Sequence, residues 1–262
     1  MSTLHRRTVL VALGALAAPP IAVAAGARPA HAADRYPSNS ALYAALASVE
    51  HVEWTRRFRR HATAHGGTQP FPDTTILAVH GGGIEPGTSE LCIAIAGYRP
   101  SDEAPLTGRL YDHWLFEGLR SSGNADLHVT STNCDDPVAL SLAGGARRTV
   151  SLHGCSTAEA GLPDGTAAVL VGGRDQALKT RLRNRYEAAG IQHVDAATVP
   201  ALSGTDPANI ANRTLTGAGT QLELTTDLRA AMFTENTRPR RKHTTTAVFD
   251  AFVAATRLAL TD

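Results

Sequence analysis

Two hydrophobic periods take turns along this chain. Thr74-Thr75-Ile76-Leu77-Ala78-Val79 is a short apolar run rich in β-branched residues, the pattern of a strand buried on both faces. It runs into His80-Gly81-Gly82-Gly83, after which Thr88 or Ser89 is placed to cap a helix through Leu91, Ile93 and Ala94. The same grammar recurs. Arg109 to Leu119 and Asp126 to Ser131 read as strands, Asp136-Pro137 opens a helix through Leu142, and Thr149-Val150-Ser151-Leu152 is a strand that stops at His153-Gly154. Ala167 to Val171 is a strand ending at Gly172-Gly173. Asp175 is then placed to cap a helix from Gln176 to Ala189, whose Leu178, Leu182 and Tyr186 share one stripe, and Gly190 ends it. Gln221 to Thr225 is a late strand, and a last helix spans about Thr245 to Leu260 with Val248, Phe252 and Val253 inward. Upstream the pattern is mixed. Ala41 to Ala47 suits a helix, Val52 to Arg56 alternates like a strand, and Gly66 to Asp73 is a loop. Strands alternating with helices predict an α/β fold, a mainly parallel or mixed central sheet with helices on both faces, as one domain from residue 33 to 262.

The first 32 residues follow other rules. His5-Arg6-Arg7-Thr8 precedes an apolar run, Val9 to Ala18, and Ala30-His31-Ala32 fits a small-x-small cleavage site. Paired arginines at that point read as a twin-arginine export signal, with a general secretory signal as the alternative. Pro19-Pro20 interrupts the run short of a bilayer span, so no stable membrane anchor is expected after processing. The expected mature chain starts at Ala33 and works in a secreted or extracytoplasmic setting.

Candidate chemistry gathers at two glycine-terminated strands. His80 and His153 each sit where an apolar strand runs into glycine. In open α/β sheets ligands collect beyond the carboxyl ends of the strands, so two imidazoles delivered there are placed to meet. Glu85, five residues after His80 across a Gly-rich turn, can fold back beside it. Two histidines and one carboxylate leave a fourth zinc position open, the arrangement of hydrolytic rather than structural zinc. On spacing alone, the alternative stands that each His is a hydrogen-bonded loop residue. Glu223 lies in Gln221-Leu222-Glu223-Leu224 with the leucines facing away from it. A carboxylate in a covered sheet is costly unless it is paired or part of a site; a Glu at a solvated strand edge is the alternative. Glu90 is a rival carboxylate, in a first helical turn where acids favour the helix dipole.

The segment His80-Gly81-Gly82-Gly83-Ile84-Glu85-Pro86-Gly87-Thr88-Ser89-Glu90 resembles the signature of the poly-γ-glutamate hydrolase family. Three further segments match in order: Leu127 to Asn133 with Asp135-Asp136-Pro137, then Ser151-Leu152-His153-Gly154-Cys155, then Asn209 to Arg213 with Gly217 to Leu224. The resemblance runs from about Thr74 to Arg229. It implies a carboxypeptidase-like α/β fold and a hydrolase dependent on Zn2+, one ion per chain, held by His80, Glu85 and His153. Carboxypeptidase-like enzymes carry their catalytic Glu on a late strand, so the resemblance makes Glu223 the general base. Asn212-Arg213 resembles the pair that holds substrate carboxylate in carboxypeptidases, although here it follows the second metal His instead of preceding it. Arg174, after Gly172-Gly173 at a strand end, is a second cation for substrate binding. The implied substrate is a polyanionic peptide, poly-γ-glutamate, cut at its γ-glutamyl amide bonds. Two alternatives stay open: a zinc amidase or carboxypeptidase acting on peptidoglycan peptides, and a catalytically silent binding protein of the same fold.

Charge and cysteine usage narrow the partners. Removing Arg6, Arg7 and Arg28 with the leader leaves 22 basic against 24 acidic residues. A nearly neutral chain without a basic stripe argues against nucleic acid as a partner. Cys92, Cys134 and Cys155 form no C-x-x-C pair, which argues against a Cys-rich zinc site. An oxidising destination permits one disulfide, Cys134 with Cys155 being the pair to test; three buried thiols are the alternative. His113 and His128 fall within predicted strands and read as structural, and Arg238 to Lys242 as a solvated basic face.

Overall fold

The structure, a computed structural model, describes residues 34–61 and 73–261. The predicted export signal and most of the predicted loop from Gly66 to Asp73 lie outside the described residues. In chain order the elements are α1 (Asn39–Ala45), β1 (Trp54–Arg59), β2 (Thr74–Gly82), α2 (Thr88–Ala96), β3 (Asp112–Gly118), α3 (Pro137–Gly145) and β4 (Arg148–Cys155). They continue with β5 (Val169–Gly173), α4 (Gln176–Ala188), β6 (His193–Asp195), β7 (Thr220–Thr225), α5 (Thr226–Ala231), α6 (Arg238–Arg241) and α7 (Ala247–Thr261).

The strands form one mixed sheet in the order β1-β3-β2-β4-β7-β5-β6. β2 pairs in parallel with both β3 and β4, and β4 in parallel with β7. β1 joins β3 antiparallel, and β5 joins β7 antiparallel. Alternation along the strands sends their apolar side chains to two faces. Ile76, Ala78, Val150, Leu152, Leu222 and Leu224 face one cluster, closed by Leu91 and Ile95 of α2, Leu178 and Leu182 of α4, and Phe252 of α7. Leu77, Val79, Trp114 and Phe116 face the other, closed by Leu42 of α1 and Leu142 of α3, with Leu127 and Val129. Each fully buried Leu, Ile or Phe stabilises the fold by roughly 1.5–3 kcal/mol. Helices therefore cover both faces, as the sequence pattern predicts.

Several local expectations shift. Asp126 to Ser131 is no strand: short 3-10 helices at Asn124–Leu127 and Ser131–Asn133 flank an extended His128. Leu127 and Val129 do bury on one side, which mimics strand alternation. Among the described residues the segment finds no ladder partner, and two of its polar groups bond to side chains: Thr130 N donates to Asp34, and Val129 O accepts from His80. The cap of α2 is Gly87 at φ 102°, a left-handed turn that glycine adopts without steric cost. The Thr88 hydroxyl instead donates to Glu85 O, and the Ser89 hydroxyl accepts from Gly82 N. In α7 the buried stripe is Phe249, Phe252, Thr256 and Ala259, so Val248, predicted inward, is 38% exposed. The three cysteines are free and buried. Cys134 belongs to the Trp114 cluster and Cys155 to a separate one with Leu170, so the pair considered for a disulfide lies in two different cores.

Candidate metal centre

Strand direction alone does not bring His80 and His153 face to face. Ile76 and Ala78 point into the cluster under α2, and strict alternation would send His80 after them. Between Ala78 and Gly81, however, three steps along β2 match two along β3, from Leu115 to Glu117. The extra residue is a β-bulge, which re-aims the side chains beyond it. His80 thereby turns to the face that carries His153, and the two rings meet edge to face with centroids 5.0 Å apart.

Glu85 closes over this face because its turn folds back on itself: Glu85 N donates to His80 O at 2.8 Å. Its Oε1 lies 2.9 Å from His80 Nδ1 and its Oε2 3.8 Å from His153 Nδ1. Oε2 also accepts from Gly154 N at 2.9 Å. Each histidine has its other nitrogen held elsewhere. His80 Nε2 sits 2.9 Å from Val129 O, which can only accept, so Nε2 carries the hydrogen. His153 Nε2 lies 2.9 Å from Ser151 Oγ and 3.3 Å from Ser131 Oγ. Both rings thus present Nδ1 to Glu85.

The ligand atoms of His80, Glu85 and His153 all lie within 4.8 Å of one another. Zinc held tetrahedrally at about 2.0–2.2 Å requires ligand atoms roughly 3.3–3.6 Å apart, a spacing the two carboxylate contacts bracket. Two imidazole nitrogens, each ring oriented through its far nitrogen, and one carboxylate are a donor set that fits zinc.

The electrostatics agree with a site built for a cation. Burial drives His80 down, but the adjacent Glu85 carboxylate outweighs it and holds the imidazole above its ordinary value. Burial pushes Glu85 up, while His80, with His153 and His128 behind it, pulls the carboxyl down to about 2. Burial takes His153 down to about 3, against the attraction of Glu85.

Glu223 stands beside this group. It is the register partner of His153 in the parallel β4–β7 ladder, so both side chains leave the same face of the sheet. Leu222 and Leu224 go to the opposite core. Gln221 Nε2 donates to Glu223 Oε1 at 2.7 Å, and Asn209 Nδ2 fixes Gln221 at 2.8 Å. Burial first, then the charge of Glu85, raises Glu223 well above the carboxylate range, with Gln221 opposing. Two carboxyls with proton affinities pushed apart divide naturally into a ligand and a proton acceptor.

The predicted substrate groups lie elsewhere. Asn212 is buried and its amide is spent within its own loop: Nδ2 donates to Gly204 O and Asp206 O, and Oδ1 accepts from Gly219 N. Arg213 follows it, exposed, at the amino-terminal end of β7. Arg174 is also exposed, its N–H donating to Gly219 O. A strand end predicts a ligand site only for strands running with their neighbours. β5 is antiparallel to β7, with Gly173 opposite Thr220, so its carboxyl end delivers Arg174 to the edge away from His153.

Other residues take up places that sequence reasoning missed. Arg229 is buried behind Glu85, donating to Leu224 O, Pro86 O and Cys155 O at 3.1, 3.0 and 3.4 Å, which ties the Glu85 turn to the ends of β4 and β7. Gly154 makes room for it: a Cβ there would sit 2.5 Å from the Arg229 Cζ. His128, expected to be merely structural within a strand, packs its ring against His80 with centroids 3.9 Å apart. Glu90, the rival carboxylate, is taken up by Arg241, whose Nε lies 3.2 Å from Oε1 and whose Nη2 donates to Gly82 O at 2.7 Å. Arg241 is 2% exposed, which corrects the reading of Arg238 to Lys242 as wholly solvated.

The poly-gamma-glutamate hydrolase family model matches residues 63–255, most of the chain. The chain belongs to the poly-γ-glutamate hydrolase family. Its relatives include the SPβ prophage-derived protein YoqZ of Bacillus subtilis (strain 168), 37% identical over 179 residues that make up 68% of this chain and 58% of YoqZ. YndL of the same organism is 35% identical over 158 residues, 60% of this chain and 55% of YndL, so the chain matches little more than half of either protein. Among solved structures, a bacteriophage poly-gamma-glutamate hydrolase is similar with a TM-score of 0.71 and 29% identity, covering 87% of this chain and 97% of that one. A zinc-free structure of YndL is similar with a TM-score of 0.71 and 29% identity, covering 87% and 98%. In this poly-γ-glutamate hydrolase family member, His80, Glu85, His153 and Glu223 all fall within the matched residues.

Proposed function

We propose that the protein is a zinc-dependent amidohydrolase that cleaves γ-glutamyl amide bonds of poly-γ-glutamate outside the cytoplasm. The observation that carries this reading is the convergence of His80, Glu85 and His153 within reach of one ion, with Glu223 beside His153 on the same sheet face. Three protein ligands leave a coordination position open, and zinc held there supplies Lewis acidity toward an amide carbonyl and toward water. The chain's own residues handle the protons. Glu223 takes a proton from the attacking water and returns it to the departing amine nitrogen. Gln221, braced by Asn209, fixes one oxygen of that carboxyl and leaves the other to do this. Arg229 holds the Glu85 turn against the strand ends.

Substrate choice follows from where charge is available. Every residue of a γ-linked chain displays a free α-carboxylate beside its amide bond. Arg213 and Arg174, both exposed toward the edge of the sheet away from His153, are the cations proposed to meet carboxylates of the polymer remote from the cut bond. Asn212 supports that loop and is not proposed to touch substrate. Arg213→Ala should chiefly raise KM, the mark of a contact equally strong in ground and transition states.

Chain length of poly-γ-glutamate after incubation with purified protein tests the proposal. The expected result is shortening that a chelator stops and zinc restores, with poly-α-glutamate left intact. Unchanged polymer in the presence of zinc, alongside cleavage of muropeptides, would assign the peptidoglycan alternative. Polymer bound but never cut would assign a silent binding protein. Secretion through the twin-arginine route is part of the proposal, and sequencing of the exported protein should find Ala33 at its amino terminus.

A further inference from the structure

Asp34 lies outside residues 63–255, the span that matches the family, yet it reaches the loop that covers the metal centre. Its Oδ1 is 2.7 Å from His128 Nδ1, and its Oδ2 accepts from Thr130 N at 2.6 Å. One carboxylate thus grips both residues flanking Val129, whose carbonyl lies 2.9 Å from His80 Nε2. The His128 ring that Asp34 holds is the ring packed against His80, with centroids 3.9 Å apart. Both neighbours that orient His80, the acceptor for Nε2 and the ring lying on it, are therefore fastened by the same side chain. Hydrogen bonds to an ionised carboxylate are about twice as strong as neutral ones, which suits this task. The segment around Asp34 is anchored to the same loop at further points: Arg35 Nη1 to Asp126 Oδ2 at 2.6 Å, Ser40 N to Asp135 Oδ1 at 2.8 Å, and Tyr43 Oη to Asp136 Oδ2 at 3.0 Å.

We propose that Asp34 is a positioning residue for the metal centre: by clamping His128-Val129-Thr130 it holds His80 with Nε2 turned away and Nδ1 toward Glu85 and His153. The inference rests on the zinc reading above. Groups that hydrogen-bond a metal-ligating histidine contribute about 10–100-fold in metal affinity. Asp34 acts one contact further out, through the acceptor's own peptide, so the lower end of that range is expected.

Zinc dissociation constants from chelator competition, with unfolding midpoints of the zinc-free forms, should be compared for wild type, Asp34→Ala, Asp34→Asn and Arg35→Ala. Asp34→Ala should weaken zinc binding about tenfold. Asp34→Asn, nearly isosteric and therefore expected to fold, still accepts from Thr130 N but offers an amide donor to His128 Nδ1; it should show an intermediate loss. Arg35→Ala removes an exposed ion pair of the same segment and should change zinc affinity by no more than about twofold. Wild-type affinity in both Asp34 variants, or an equal loss in Arg35→Ala, overturns the inference. Wild-type protein that binds no zinc overturns the metal reading itself, a result distinguishable from zinc-binding wild type with unaffected Asp34 variants.

Discussion

Glu223 and His153 are register partners in the β4–β7 ladder, and both project from the face to which the bulge in β2 turns His80. In the zinc-free protein a carboxyl that burial and the charge of Glu85 raise above its ordinary range thus stands next to a histidine that burial keeps neutral. The charge of a zinc ion beside that carboxyl would favour the ionised form that acts as a base. Glu223→Gln should keep zinc and lower turnover by roughly 10²–10⁴-fold, the contribution of a lost general base. Turnover close to wild type in that variant would place the base elsewhere.

The same substitution should stabilise the zinc-free protein. Glu223 has a folded value above its unfolded one near 4.5, so the native state binds the extra proton between the two. Stability from this group is therefore full below the unfolded value and is lost as pH rises through the folded value. Gln carries no such loss. Thermal midpoints of zinc-free wild type and Glu223→Gln should converge toward about pH 4 and separate above it, the variant being the more stable. Curves that stay parallel across that range would contradict the raised value.

Gly154→Ala tests the seat of Arg229. A methyl group 2.5 Å from the guanidinium carbon must displace a buried cation that bridges Pro86 O and Cys155 O. Denaturant titration should show a loss of about 1–3 kcal/mol, the usual cost of overpacking a tight interior. Unchanged stability would mean that Arg229 moves aside freely.

Much of this site was legible in the sequence, for identifiable reasons. Glycines after His80 and His153 marked two strand ends, and the two-residue period of Gln221-Leu222-Glu223-Leu224 put Glu223 opposite its leucines, where it is found. What escaped depends on long-range pairing. The bulge is a single extra residue that no hydrophobic period reveals, and without it His80 would share the face of Ile76. The direction of β5 is set by its partner β7, so Arg174 looked like a site residue at a strand end that points the other way. Asp34 and His128 are 94 positions apart, and Arg241 and Glu90 151 apart, distances over which one sequence carries no sign of contact. Leu127 and Val129 alternate like a strand because both bury under the loop, with no ladder to join.

The three ligands should separate by role. His80→Ala and His153→Ala each remove a nitrogen donor and should abolish zinc binding together with activity. Glu85→Gln keeps the shape of the turn but removes the charge that pulls on His80, so zinc binding should weaken while the fold persists. Full zinc occupancy in both histidine variants, read by elemental analysis, would remove these residues from the centre.

Titrating the zinc-free protein with zinc while following poly-γ-glutamate chain length tests the account most directly. Cleavage should be absent at the start, rise in proportion to added metal and level off at about one ion per chain, as a single three-ligand open site requires. Polymer shortening without zinc, or a metal-free protein that zinc fails to activate, would contradict it.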